Sequence, residues 1–136
     1  MARKHDLNRY GGTYTRANVD WYRCIYCGEE GGITDDHVPP ISKAYLVDEN
    51  HREIYPACSR CNSILKDKGI YLDDRAIVLY YLLEKKNKKW LKIPDWTDEE
   101  LEEMEYGMVK HIKQGLARKK KAKRQLEYIK LIYKVI

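Results

Sequence analysis

The stretch PACSRCN, residues 56–62, decides how this chain reads. Upstream, REIYPAC (52–58) has the makings of a short strand that Pro56 ends and that delivers Cys58. Downstream, SRCNSILKDKG (59–69) is punctuated as a short helix: Ser59 stands where an N-cap belongs, Asn62, Leu65 and Lys66 fall at helical spacing, and Gly69 follows the last turn. Two cysteines separated by two residues therefore sit where a strand turns into a helix. A second pair with the same spacing, Cys24 and Cys27, lies in WYRCIYCGEEGG (21–32), whose aromatic residues and following glycines suit a short hairpin closing on a metal. A two-residue spacer lets a tight turn aim both thiolates at one ion, and two such turns supply the tetrahedral set that zinc accepts. Four protein ligands leave no open position, so zinc at Cys24, Cys27, Cys58 and Cys61 is structural, a staple for a small core.

Between the pairs lies TDDHVPP (34–40). Pro39 and Pro40 offer no ladder N–H, which places His37 at a strand end, and a loop with at most one helical turn is expected over 41–50. Because both ends of this segment are tied to one ion, His37 should come near the first turn of the helix that carries Asn62. A carboxylate and an amide carbonyl are hard ligands suited to magnesium or manganese, and a neutral imidazole beside them can take a proton from water. Strand alternation puts Asp35 and Asp36 on opposite faces, so either one is the candidate acid.

Taken together, CIYC (24–27), DHVPP (36–40), PACSRCN (56–62) and Lys66 resemble the HNH endonuclease family in its zinc-stapled ββα-metal form, over about residues 21–68. The resemblance implies an α+β fold with a small zinc-bound ββα-metal core followed by a helical region. It implies a DNA endonuclease in which His37 activates the attacking water, Asp36 and Asn62 hold one catalytic Mg or Mn ion, and Lys66 faces the same phosphate. The family usually carries a middle Asn five residues before the third cysteine; here that position is Glu53, and Asn50 or His51 stands nearest to brace the loop instead. More distantly the chain is similar to junction resolvases of the endonuclease VII type, which continue into long intertwined helices. That likeness implies branched DNA as an alternative substrate and a homodimer through the C-terminal helices. The HNH resemblance also implies the cytoplasm of a bacterium or of a phage-infected cell. A third reading is a zinc-dependent nucleic-acid-binding module that breaks no bond.

The remaining sequence fits this plan. The 136 residues suffice for one small domain with an appendage, divided as an irregular arm (1–20), a nuclease core (21–70) and a helical region (71–136). Helices are expected at about 73–90, with acids first and lysines last, and at 98–134, opened by a capping box from Thr97 to Glu100. Leu101, Met104, Met108, Ile112, Gly115, Ala122, Leu126 and Ile129 form its apolar stripe. Residues 1–71 balance ten basic against ten acidic side chains, so the net charge of +5 resides wholly in the second half. There Arg118, Lys119, Lys120 and Lys121, with Lys123 and Arg124, make a basic collar expected to contact DNA phosphates without reading sequence. His5, His51 and His111 are expected to have no catalytic part. No apolar run is long enough to cross a bilayer, and no secretory leader is evident, which excludes membrane-embedded functions and points to a reducing compartment.

Overall fold

A computed structural model describes residues 9–136; His5 and the first eight residues of the expected arm lie outside the described residues. The chain is mixed α+β. Its strands are β1 (Thr15–Arg16), β2 (Ile33–Val38) and β3 (Glu53–Cys58), and its helices α1 (Ser59–Leu65), α2 (Leu72–Lys86), α3 (Lys88–Leu91), α4 (Asp98–Glu102) and α5 (Tyr106–Tyr133). β3 lies in the middle of the sheet, parallel to β1 and antiparallel to β2, with Ile33 opposite Cys58 and Val38 opposite Glu53.

Strand β1 departs from the irregular arm expected over 1–20. It is held by Thr15 N–H donating to Arg52 O at 3.0 Å and Ala17 N–H donating to Ile54 O at 2.9 Å. Two residues are too few to show a period, so only the open edge of β3 defines this strand. The hairpin expected at 21–32 reduces to one bridge, Arg23 with Glu30, around a turn in which Gly28 N–H donates to Cys24 O at 3.0 Å. Nor does Pro56 end β3. Its carbonyl points away from β2 and accepts Ile25 N–H at 2.7 Å, so its nitrogen faces the side that β1, paired only at Glu53 and Ile54, leaves open. No ladder bond is lost, and the strand passes through the proline.

The cap of α1 is Cys58, one residue before the expected Ser59: Cys61 N–H donates to Cys58 Sγ at 3.4 Å. Helix α2 stops at Lys86, short of the expected 90, because the buried Asn87 turns its amide back onto Leu83 O at 2.8 Å. The capping box at Thr97 is formed as expected, with Glu100 N–H donating to Thr97 Oγ1 and Thr97 N–H to Glu100 Oε1, both at 3.2 Å. It opens only α4, however. Glu99, Glu102, Glu103 and Glu105 fall three and four apart, and such like-charge pairs oppose a continuous helix; the chain breaks before Tyr106.

At 28 residues, α5 is about 42 Å long. Its Ala122, Leu126 and Ile129 are buried, and Leu126 and Ile129 join Leu79 and Leu83 of α2 and all four cysteines in one apolar cluster. Gly115 lets the helix approach α3 and the segment after it closely, since a Cβ there would lie 2.8 Å from the Ile93 side chain and 3.6 Å from the Trp90 ring. Leu101 of α4 is buried, but Met108 is exposed, so within α5 the expected stripe is buried only from Gly115 onward. Among the described residues no helix is long and apolar enough to cross a membrane.

Candidate functional site

The first CxxC turn and the β3–α1 junction bring Cys24, Cys27, Cys58 and Cys61 together, all buried, with the four sulfurs within 4.8 Å of one another. Cys27 and Cys58 are 3.9 Å apart at sulfur, against about 3.8 Å for the edge of a zinc–thiolate tetrahedron. Crowding splits their acidities. Hydrogen bonding to Cys27 holds the Cys24 thiol down, and hydrogen bonding to Cys24 holds Cys58 down while pushing Cys27 and Cys61 up. A dication relieves that conflict by letting all four ionise, so the donor set fits a structural metal such as zinc. Among the described residues this is the one group of three or more His, Cys, Asp and Glu side chains close enough to share an ion.

Beside it opens a pocket of about 390 Å³, lined by Asp35, Asp36 and His37 of β2, Asn62 of α1, and Lys66 among others. The expected juxtaposition of His37 with Asn62 is therefore present. His37 is the next-to-last residue of β2, half-buried, with the Tyr14 ring edge-on at 4.8 Å and the Tyr14 hydroxyl donating to Pro39 O. Burial pulls the imidazole below its ordinary value, and the charges of Asp36 and Asp35 pull it partly back. The ring is accordingly neutral at neutral pH, the form that accepts a proton. Asn62 Nδ2 donates to Thr34 Oγ1 at 3.0 Å and to Asp35 O at 3.2 Å, which fixes the amide and leaves its carbonyl oxygen as the atom available to a ligand.

Lys66 is at the C-cap of α1 rather than inside it, with φ 50° and ψ −120°. An L residue rarely adopts that conformation, which costs on the order of 1–3 kcal/mol. It persists because Arg75, on α2 and fully buried, donates from Nη1 to Lys66 O at 3.2 Å and to Lys68 O at 2.7 Å.

Asp36 lies on the face of β2 opposite His37, as strand alternation dictates, and is 3% exposed. Its oxygens accept Arg75 Nη2–H at 2.8 Å and the Tyr26 hydroxyl, while Arg75 Nε donates to Tyr26 Oη at 3.0 Å. Burial pushes the carboxyl above the usual range; Arg75 and Tyr26 pull it back. Asp35 shares the face of His37 and is exposed. No family model, curated protein or solved structure matches this chain. The chemistry therefore rests on the geometry of these residues.

The basic collar also changes character. Lys119 is 8% exposed and donates from Nζ to Ile93 O and, at 2.9 Å, to the Asp95 carboxylate, so it braces α5 against the 92–97 segment. The Arg118 guanidinium lies 4.6 Å over the Trp90 ring, and Arg124 pairs with Glu29 at 2.7 Å. Lys120 and Lys121 are exposed, and none of the collar lines the His37 pocket. Asn50 and His51 are exposed, and among the described residues the side-chain brace on the loop comes from elsewhere. Arg52 supplies it, donating from Nε to Ala44 O at 3.1 Å and Val47 O at 3.0 Å and from Nη1 to Thr13 Oγ1 at 3.0 Å. The sequence reading missed Tyr14, Tyr26, Arg52 and Arg75; only Tyr26 carried a local signal, by standing between two metal-ligating cysteines.

Proposed function

We propose that this protein is a metal-dependent DNA endonuclease of the HNH type, with a zinc-stapled ββα-metal core formed by β2, β3 and α1. The observation that carries the reading is the convergence of a neutral imidazole, an oriented amide and a lysine on one pocket beside the four-cysteine cluster. In this reading His37 takes a proton from a water molecule, whose oxygen attacks the phosphorus as the bond to the 3′ oxygen breaks. Asn62 Oδ1 and Asp36 would hold one Mg or Mn ion. Each Asp36 oxygen accepts one hydrogen bond from Arg75 or Tyr26, and a carboxylate has lone pairs beyond those two, so the pair serves as outer support for a ligand. When bound, the ion offsets the negative charge that builds on the phosphate and the leaving oxygen. Lys66 adds a fixed positive charge on the same side.

Incubation of supercoiled plasmid with magnesium or manganese tests this. The parent should nick it, and His37→Ala should abolish nicking while retaining bound zinc. Equal cutting by that variant would remove the mechanism, and binding without cutting by the parent would favour the non-catalytic module. Asp36→Asn set beside Asp35→Asn decides the acid: loss of metal-dependent cutting should follow the first and not the second.

A further inference from the structure

A second groove borders the His37 pocket, and Lys66 lines both. It runs between α1 and α2 with Lys68, Lys85 and Lys86 along it and with Ile64 and Leu82 supplying apolar wall. All four lysines are exposed, and among the described residues none of them enters an ion pair. Four ammonium groups in one groove with no acid among the lining side chains create a positive potential that a polyanion relieves. Nor is the placement loose. The turn that presents Lys66 and Lys68 has its carbonyls held by buried Arg75, and Gly69 (φ 75°) lets that arginine pass, since a Cβ there would lie 2.9 Å from Arg75 Cγ.

We infer that the DNA strand leaving the His37 pocket follows this groove, its phosphates against Lys66, Lys68, Lys85 and Lys86, rather than passing over the collar at 118–121. The inference rests on the nuclease reading for its substrate and on the shared Lys66 for its path. The collar is a poorer track: the hollow beside it includes Asp95, holds Lys119 already paired, and shares no lining residue with the His37 pocket. Phosphate contacts fix the path of a strand without reading its bases, so the groove confers affinity and register rather than sequence preference.

The test compares two double variants, Lys85→Ala with Lys86→Ala, and Lys120→Ala with Lys121→Ala. All four positions are exposed, and unchanged zinc content and melting temperature verify folding. Anisotropy of a labelled DNA duplex is followed against salt concentration with no divalent ion added. For the groove variant, the dependence of log affinity on log salt should become shallower by about 2, one for each ammonium group withdrawn from a phosphate. Its affinity at fixed salt should fall about tenfold or more. The collar variant should match the parent. An unchanged slope for the groove variant, an equal loss from the collar variant, or no DNA binding by the parent each overturns the inference. Plasmid nicking by the parent is scored separately: groove-dependent binding without nicking supports the groove and removes the nuclease reading, whereas nicking with no groove effect does the reverse.

Discussion

Arg75 is the side chain on which most of the site depends. It is fully buried on α2 and ties together the Asp36 carboxylate of β2, the Tyr26 hydroxyl of the first cysteine turn and two carbonyls beyond α1. Removing one partner of a buried ion pair leaves the other charged and desolvated, so Arg75→Met should cost about 3–5 kcal/mol in denaturant unfolding. Tyr26→Phe removes a hydroxyl that both donates to Asp36 and accepts from Arg75, and should cost about 1–3 kcal/mol while leaving zinc in place. A loss below about 1 kcal/mol for Arg75→Met would show that the pair is not held as described. Asn62 is a different kind of residue. It is half-buried and, among the described residues, its side chain is bonded only through Nδ2, so Asn62→Ala should shift the melting temperature little while removing the proposed metal-dependent cutting. Cys58→Ser, which withdraws one of the four clustered thiols but keeps a hydroxyl able to cap α1, should lower it sharply through loss of the metal alone.

At the scale of elements, the long helix is clamped to the first cysteine turn. The Tyr128 ring lies over Gly28, the Tyr133 hydroxyl donates to Ile25 O, and Arg124 pairs with Glu29. These contacts are unequal. The Arg124–Glu29 pair is largely exposed on the arginine side and is worth under about 1 kcal/mol, so Glu29→Gln should be nearly silent. Gly28 combines φ 74° with a Tyr128 ring atom only 2.6 Å from where a Cβ would sit. Gly28→Ala therefore meets both an unfavourable backbone and a clash, and should destabilise by about 1–3 kcal/mol. Thermal unfolding of the two variants side by side checks the ranking, and a larger effect from Glu29→Gln would contradict it. The break at 103–105 belongs here too: the apolar stripe alone suggested one helix from 98 to 134, and the run of glutamates that divides it carries no hydrophobic signal.

For the molecule as a whole, the decisive fact is that the cysteines and the two long helices share one buried cluster. Stripping zinc with a chelator should accordingly abolish the helical circular dichroism in a single transition, not in two; survival of most of that signal would show that α2 and α5 fold without the metal turn. The sequence by itself determined the parts whose causes lie within a few residues: the two cysteine pairs, the strand-to-helix junction at Cys58, the strand-end position of His37, and the Thr97 capping box. Each follows from local backbone geometry or from a two-residue turn. Tertiary structure alone decided which arginine meets Asp36, which arginine braces the loop, and that Lys119 is buried against Asp95 while, among the described residues, the lysines of the α1–α2 groove enter no ion pair. Asp36 and Arg75 are 39 residues apart, and Tyr26 and Arg75 are 49 apart. A charged side chain's partner is set by whichever element packs over it, and no local pattern of residues encodes that meeting.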